Sequence, residues 1–138
     1  MLAWGRRSDK TAERSLHTAL PLALIAFALG GMSLVHALAP TLILLCLAVT
    51  GTYAVKGPFW ALATEWLSAS SAAAGIAQIN AIGNLGGFLA SSAMGAIKQG
   101  GGSYAEGLLP LAMITAVSAA MVIGSGSSGR PLAARAVE

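Results

Sequence analysis

Four apolar runs follow one another in this chain with almost no room between them, each close to or above the roughly 20 residues that carry a helix across a hydrocarbon core. The first goes from Thr18 to Leu38, with His36 as its only titratable group, and Ala39 and Pro40 are expected to end it. The second, Thr41 to Trp66, holds one cation, Lys56, and a Gly57, Pro58 pair that should kink it, because proline withholds a backbone N–H. The third covers Ala72 to Ile97, and Lys98 to Tyr104 (KQGGGSY) reads as a flexible glycine turn before the fourth, Ala105 to Gly124. The fold class expected is all-α, a polytopic membrane protein. Its four transmembrane helices occupy about 18–38, 41–66, 72–97 and 105–124, after a cytoplasmic charged loop over 1–17 with the end of a preceding helix and before a flexible cytoplasmic Gly/Ser tail over 125–138.

Composition excludes the main alternatives. Charged residues are 9% and hydrophobic residues 56% of the 138 positions, whereas a soluble domain carries roughly a quarter charged residues. The net charge of +3 does not point to nucleic acid, because four of the eight Lys and Arg lie in the first seventeen residues and no basic stripe carries interleaved aromatics. Cys46 is alone in an apolar run, so it has no disulfide partner and no metal-ligand companions. No nucleophile constellation, metal cluster or phosphate loop is present, so neither an enzyme nor a cofactor protein is expected.

Short connections make neighbouring helices antiparallel, and an even number of spans brings both termini to one side. Arg6, Arg7, Lys10, Arg14, Arg130 and Arg135 lie on that shared side and Lys98 on the other, so the positive-inside bias puts both ends in the cytoplasm. Basic residues, an apolar stretch and Ala37, Leu38, Ala39 together imitate a secretory signal. The stretch is longer than the roughly 7 to 15 residues of a signal core, however, and more membrane helix follows it.

The polar residues inside the spans are the candidates for function. At about 100° per residue, Tyr53, Lys56, Gly57, Trp60 and Thr64 fall on one face of the second span. This stripe suits a cavity lining, although Trp60 also fits an interfacial belt. Lys56 lies ten residues from Trp66, roughly 15 Å along a helix and beyond an easy lysine snorkel. It therefore meets water, an anion or an acidic partner. On the third span Asn80 and Asn84 share a face, as helix glue or as ligand contacts. Beside them, offset by about 60°, run Gly83, Gly87, Ser91 and Gly95, a small-residue stripe that permits close helix packing. Gln78 points away from Asn80 and reads as a packing contact. His17 and His36 read as interfacial, and Glu65 and Glu106 as water-accessible helix-end groups rather than buried proton carriers.

The opening segment packs six charges into nine residues, Arg6 to Arg14, and on charge alone is a solvated juxtamembrane face. Its Gly5, Asp9 and Arg14 match the spacing of the GxxxD…R loop that major facilitator transporters repeat between helices, with Ala12 standing where that pattern has glycine. From Gly57 onward, GPFW and then AGIAQINAIGNLGGF closely resemble the tenth and eleventh helices of the anion:cation symporter branch of the major facilitator superfamily. The resemblance runs from Gly5 to Gly107.

That resemblance implies a twelve-helix bundle of which this chain is helices nine to twelve, so that the amino-terminal half is missing. It implies secondary transport of small organic carboxylates across the inner membrane, coupled to protons, by alternating access around a midplane site. It implies that Trp60 and Asn80 line that site, with Asn84 a weaker candidate, and that Gly5, Asp9 and Arg14 belong to a gating loop. The membrane acid and the carboxylate-gripping arginine would lie largely in the missing half. The alternatives are a non-transporting membrane subunit or packing module, or an incomplete, inactive fragment. A self-sufficient four-span exporter is disfavoured, because the first span lacks a membrane-embedded glutamate.

Overall fold

The structure is a computed structural model, and it describes residues 4–5, 14–67 and 71–128. Among the described residues four long helices make up the fold: α1 (Arg14–Leu34), α2 (Leu38–Trp66), α3 (Ala72–Gln99) and α4 (Tyr104–Ser128). There is no strand among the described residues. α1, α2 and α4 are long and apolar enough to cross a membrane. α3 is 28 residues long, but Gln78, Asn80, Asn84 and its glycines make it less apolar than the other three.

The first boundary differs from the sequence expectation. α1 ends at Leu34, not Leu38, and Pro40 belongs to the first turn of α2 instead of stopping α1. The N–H groups of a first turn have no intrahelical acceptor, so a proline there forfeits nothing. The chain reverses instead over Val35 to Ala37, where Ala37 is extended at φ −83°, ψ 140°. Proline started the second helix rather than ending the first.

The second departure is the glycine turn, which is an ordered junction between two helix caps. At the end of α3, Gly102 N–H donates to Ile97 O at 2.9 Å and Gly101 N–H to Lys98 O at 3.2 Å. This is a Schellman closure, and its left-handed position is Gly101 at φ 80°, a conformation that strains any residue bearing a Cβ. At the start of α4, Ser103 N–H donates to Glu106 Oε1 at 3.2 Å, and Ser103 Oγ accepts from Ala105 N–H at 3.3 Å. The two bonds make a capping box from the Ser-x-x-Glu spacing. Lys98 lies over the Tyr104 ring at 4.7 Å, bridging the two helices. Cap follows cap with no loose residue between them.

α1 is the centre of the bundle and packs along both α2 and α4. Most of the residues that bury are small: Ala19 and Ala28 on α1, Ala48 on α2, Ala112 and Ala119 on α4, with Thr18 and Ser33, beside the larger His17 and Pro58. Small side chains let helix backbones approach closely, which in a membrane replaces the hydrophobic drive as the source of packing energy. The α1/α2 seam is tight at Gly51, where an added Cβ would meet Ile25 Cγ1 at 2.7 Å and Pro21 O at 3.0 Å. Large apolar side chains such as Phe27, Ile82, Phe88 and Met121 face outward. α3 buries none of its residues; its packing is against α4, and at its start Gly75 lies against Leu67 at the end of α2.

Candidate functional site

The polar face expected on α2 is present, and its members differ in what they touch. Lys56 is exposed, and its ammonium lies 4.8 Å from the ring centroid of Tyr53, one turn earlier. Among the described residues no carboxylate pairs with it. Trp60 is half-buried and stands edge-on to Phe59 at 5.3 Å between ring centroids. Thr64 is turned back onto its own helix, donating to Trp60 O at 2.9 Å. So Tyr53, Lys56 and Trp60 form the part of the stripe that is available to a ligand.

On α3, Asn80 and Asn84 are exposed, as is Gln78. The stripe beside them is unused within this chain: a Cβ added at Gly83, Gly87 or Gly95 meets nothing within 4 Å, and Ser91 Oγ donates to its own Gly87 O at 2.9 Å. No packed interface joins α2 to α3, so the structure does not bring Trp60 and Asn80 together. Two apolar clefts are open at the surface of the bundle. One, of about 460 Å³, lies between α3 and α4 and is walled by Leu89, Met94, Ile97, Pro110 and Ile114 among others. The other, of about 370 Å³, lies between Trp4, Leu20, Pro21 and Leu24 on one side and Thr50 and Ala54 on the other. Neither contains Tyr53, Lys56, Trp60, Asn80 or Asn84.

At the end of the bundle where α1 begins, the loop residues are docked. Arg14 Nη1 donates to Ala61 O at 3.3 Å, tying the start of α1 to the last turns of α2. A Cβ added at Gly57 would stand 4.0 Å from Gly5 Cα, whereas one added at Gly5 would meet nothing. Asp9, the third member of the loop, lies outside the described residues, as does the side chain of Glu65. His17 is buried rather than exposed at an interface: the Trp4 ring covers it at 5.1 Å and Trp4 Nε1–H donates to its carbonyl at 2.9 Å. No sequence pattern singles out Trp4. Pro21 has no N–H for the His17 carbonyl, and the Trp4 indole donates to that carbonyl. Glu106 is exposed and engaged in its cap.

Comparison with known proteins decides the class. Over 127 residues, 89% of this chain, the sequence is 43% identical to a protein of Agrobacterium vitis named as a tartrate transporter. This chain is homologous to a segment of membrane transporters. It is also 34% identical over 117 residues to the inner membrane transport protein RhmT of Escherichia coli (strain K12), and 34% identical over 111 residues to a quinolone resistance transporter of Acinetobacter baumannii. These matches take in 85% and 79% of the chain. The chain spans 28%, 27% and 25% of the lengths of these three relatives. No family model matches it, and no solved structure does. The homology agrees with the resemblance of the GPFW and AGIAQINAIGNLGGF stretches to major facilitator carriers.

Proposed function

We propose that this chain is the carboxy-terminal part of a major facilitator carrier that moves small organic carboxylates across the inner membrane, coupled to protons, by alternating access. The observation that carries this reading is Lys56. An ammonium inside the bilayer costs at least roughly 2.5 to 3.5 kcal/mol, and the Tyr53 ring returns about 0.5 to 2 kcal/mol. The remainder calls for water or an anion, and no carboxylate among the described residues supplies one. A chain 43% identical to a protein named for tartrate fits an anionic cargo.

In this reading the four helices all span, both termini are cytoplasmic, and the remaining helices of a twelve-helix bundle face α3. Those helices bring Asn80 and Asn84 into the central site with Tyr53, Lys56 and Trp60. Lys56 meets carboxylate charge, Trp60 bounds the cargo, and the amides bond its hydroxyl or carboxylate oxygens. The stripe Gly83, Gly87, Ser91 and Gly95 packs against the rest of the carrier, and Gly5, Asp9 and Arg14 work as the cytoplasmic gating loop. In this reading the proton-carrying acid belongs to the rest of the carrier; Glu106, the one described carboxylate side chain, is held in a helix cap.

The test joins this chain to the preceding segment of the Agrobacterium vitis relative and measures radiolabelled tartrate and other dicarboxylate uptake in cells without their own carrier. Saturable uptake that collapses with a protonophore is expected. Uptake of no carboxylate by a correctly inserted fusion removes the reading.

A further inference from the structure

The cleft between α3 and α4 has no polar side chain in its walls, which are glycine, alanine, leucine, isoleucine, methionine and proline throughout. A polar occupant would lose its hydrogen bonds to water and find none in return, so the cleft suits hydrocarbon. From Gly86 to Ile97 its wall on α3 is about 16 Å long at 1.5 Å per residue. Spread along that length, the volume of about 460 Å³ makes a channel about 6 Å across. That admits one hydrocarbon chain, whose carbons pack about 3.5 to 4.0 Å from their neighbours. It does not admit a helix, which is about 10 to 12 Å thick with its side chains.

The cleft is also one leaflet deep. Tyr104 opens the stretch Tyr104–Ser125, which is long and apolar enough to cross a bilayer, so the α3/α4 junction stands at a membrane surface. From Tyr104 to Ile114, the deepest wall residue on α4, is about 15 Å, half of a hydrocarbon core about 30 Å thick. At the surface end Lys98 bridges the two helices with its ammonium 4.7 Å from the centroid of the Tyr104 ring. Lys98 is exposed, and no other Lys or Arg lies between Lys56 and Arg130. Among the described residues no carboxylate pairs with it; Glu106, the acid of the same junction, accepts from the Ser103 N–H. A lysine ammonium has three donors, so donors remain beside the ring for an anionic oxygen.

We propose that this cleft is a phospholipid site, with one acyl chain between α3 and α4 and the lipid phosphate on Lys98 beside Tyr104. The chain supplies contacts that the two helices do not give each other there, since a Cβ added at Gly86 meets nothing within 4 Å. At about 100° per residue the α3 wall is centred about 130° round the helix from Asn80 and Asn84. The lipid therefore occupies a different face from the one turned toward the proposed cargo site, and its binding does not depend on what is carried.

The test is photolabelling of the full chain in dodecyl maltoside, using phosphatidylglycerol with a diazirine half-way along one acyl chain, and mass spectrometry of the labelled peptides. Label is expected in residues 86–97 and 107–114 ahead of the exposed apolar surfaces at Phe27 and Met121, and unlabelled phosphatidylglycerol should compete it away. A diacylglycerol with the same chain and no phosphate should label the cleft about fivefold less, the scale of one lysine at a lipid surface. Lys98→Gln should bring the phospholipid down to that level. Ala90→Phe fills the cleft and should remove the label, whereas Ile82→Phe, on an exposed part of α3 outside it, should not. Label spread evenly over the outer faces, or unchanged by Ala90→Phe, would make the cleft ordinary lipid-facing surface and overturn the site. Equal labelling by the two probes, a comparison that needs no variant, would overturn the phosphate contact. In the fusion with the relative's preceding segment the same peptides should label. Loss of label there would mean that a helix of the carrier closes the cleft, and the proposal would fail whether or not the fusion takes up tartrate.

Discussion

Lys56 and Tyr53 stand one turn apart on α2 with the ammonium 4.8 Å from the ring centroid. The ring quadrupole is a partner that an anion outbids, since a carboxylate at hydrogen-bond distance offers a full charge. In the fusion with the relative's preceding segment, Lys56→Leu is expected to lower carboxylate uptake by about tenfold or more, equivalent to losing about 1.4 kcal/mol of binding. The amount of carrier in the membrane should stay the same. Loss of the protein itself, read by immunoblot of membranes, would instead make Lys56 a structural charge.

Trp60→Ala and Asn80→Ala test whether the two helices meet at the cargo. Each should reduce uptake in the same fusion without altering insertion, because Trp60 is half-buried and Asn80 exposed within this chain. Wild-type uptake by both variants would take them out of the site.

The α1/α2 seam has no room at Gly51. Gly51→Ala places a Cβ against Ile25 Cγ1 and the Pro21 carbonyl, and overpacking of this kind costs about 1 to 3 kcal/mol. Gly83→Ala meets nothing within 4 Å and, inside a helix, should raise the stability of the isolated chain by about 0.4 to 1 kcal/mol. Thermal unfolding in detergent followed by circular dichroism distinguishes the two. In the assembled carrier Gly83→Ala should lower stability, since the proposed packing of that stripe is then present.

The junction between α3 and α4 should fail at its caps. Glu106→Ala removes the acceptor for Ser103 N–H and is expected to cost about 1 kcal/mol, the usual scale for losing a cap. Gly101→Val forces a β-branched residue to φ 80° and should cost more. Faster amide exchange over the first turn of α4 and the last turn of α3 is the measurement. Unchanged exchange in Gly101→Val would mean that the turn is not held by the left-handed residue.

Long uncharged runs made the helices legible from sequence, because a backbone in lipid must satisfy its own hydrogen bonds and a helix does so locally. Their edges were less so. Pro40 reads as a stop when only the preceding run is considered and as a start once the first turn's free N–H groups are counted. KQGGGSY reads as slack by its glycines, yet the Ser103, Glu106 spacing already spelled a cap. The face shared by Tyr53, Lys56 and Trp60 follows from helical periodicity alone. That α2 and α3 do not pack, and that Trp4 serves Pro21, depend on which helices are neighbours, which periodicity along one helix does not encode.

α3 is an arm held near both ends. Its second half packs on α4, through the cleft walls between Gly86 and Ile97 and through the capped junction, and at its start Gly75 lies against Leu67 at the end of α2. Asn80 lies nineteen residues from Gln99, about 28 Å along the axis at 1.5 Å per residue. A tilt of about 5° at the junction therefore carries the Asn80 amide through about 2.5 Å, close to the whole length of a hydrogen bond. The two caps around Gly101 and Glu106 thus act as the pivot of that arm, and the contact of Gly75 with Leu67 sets how far the amide can swing.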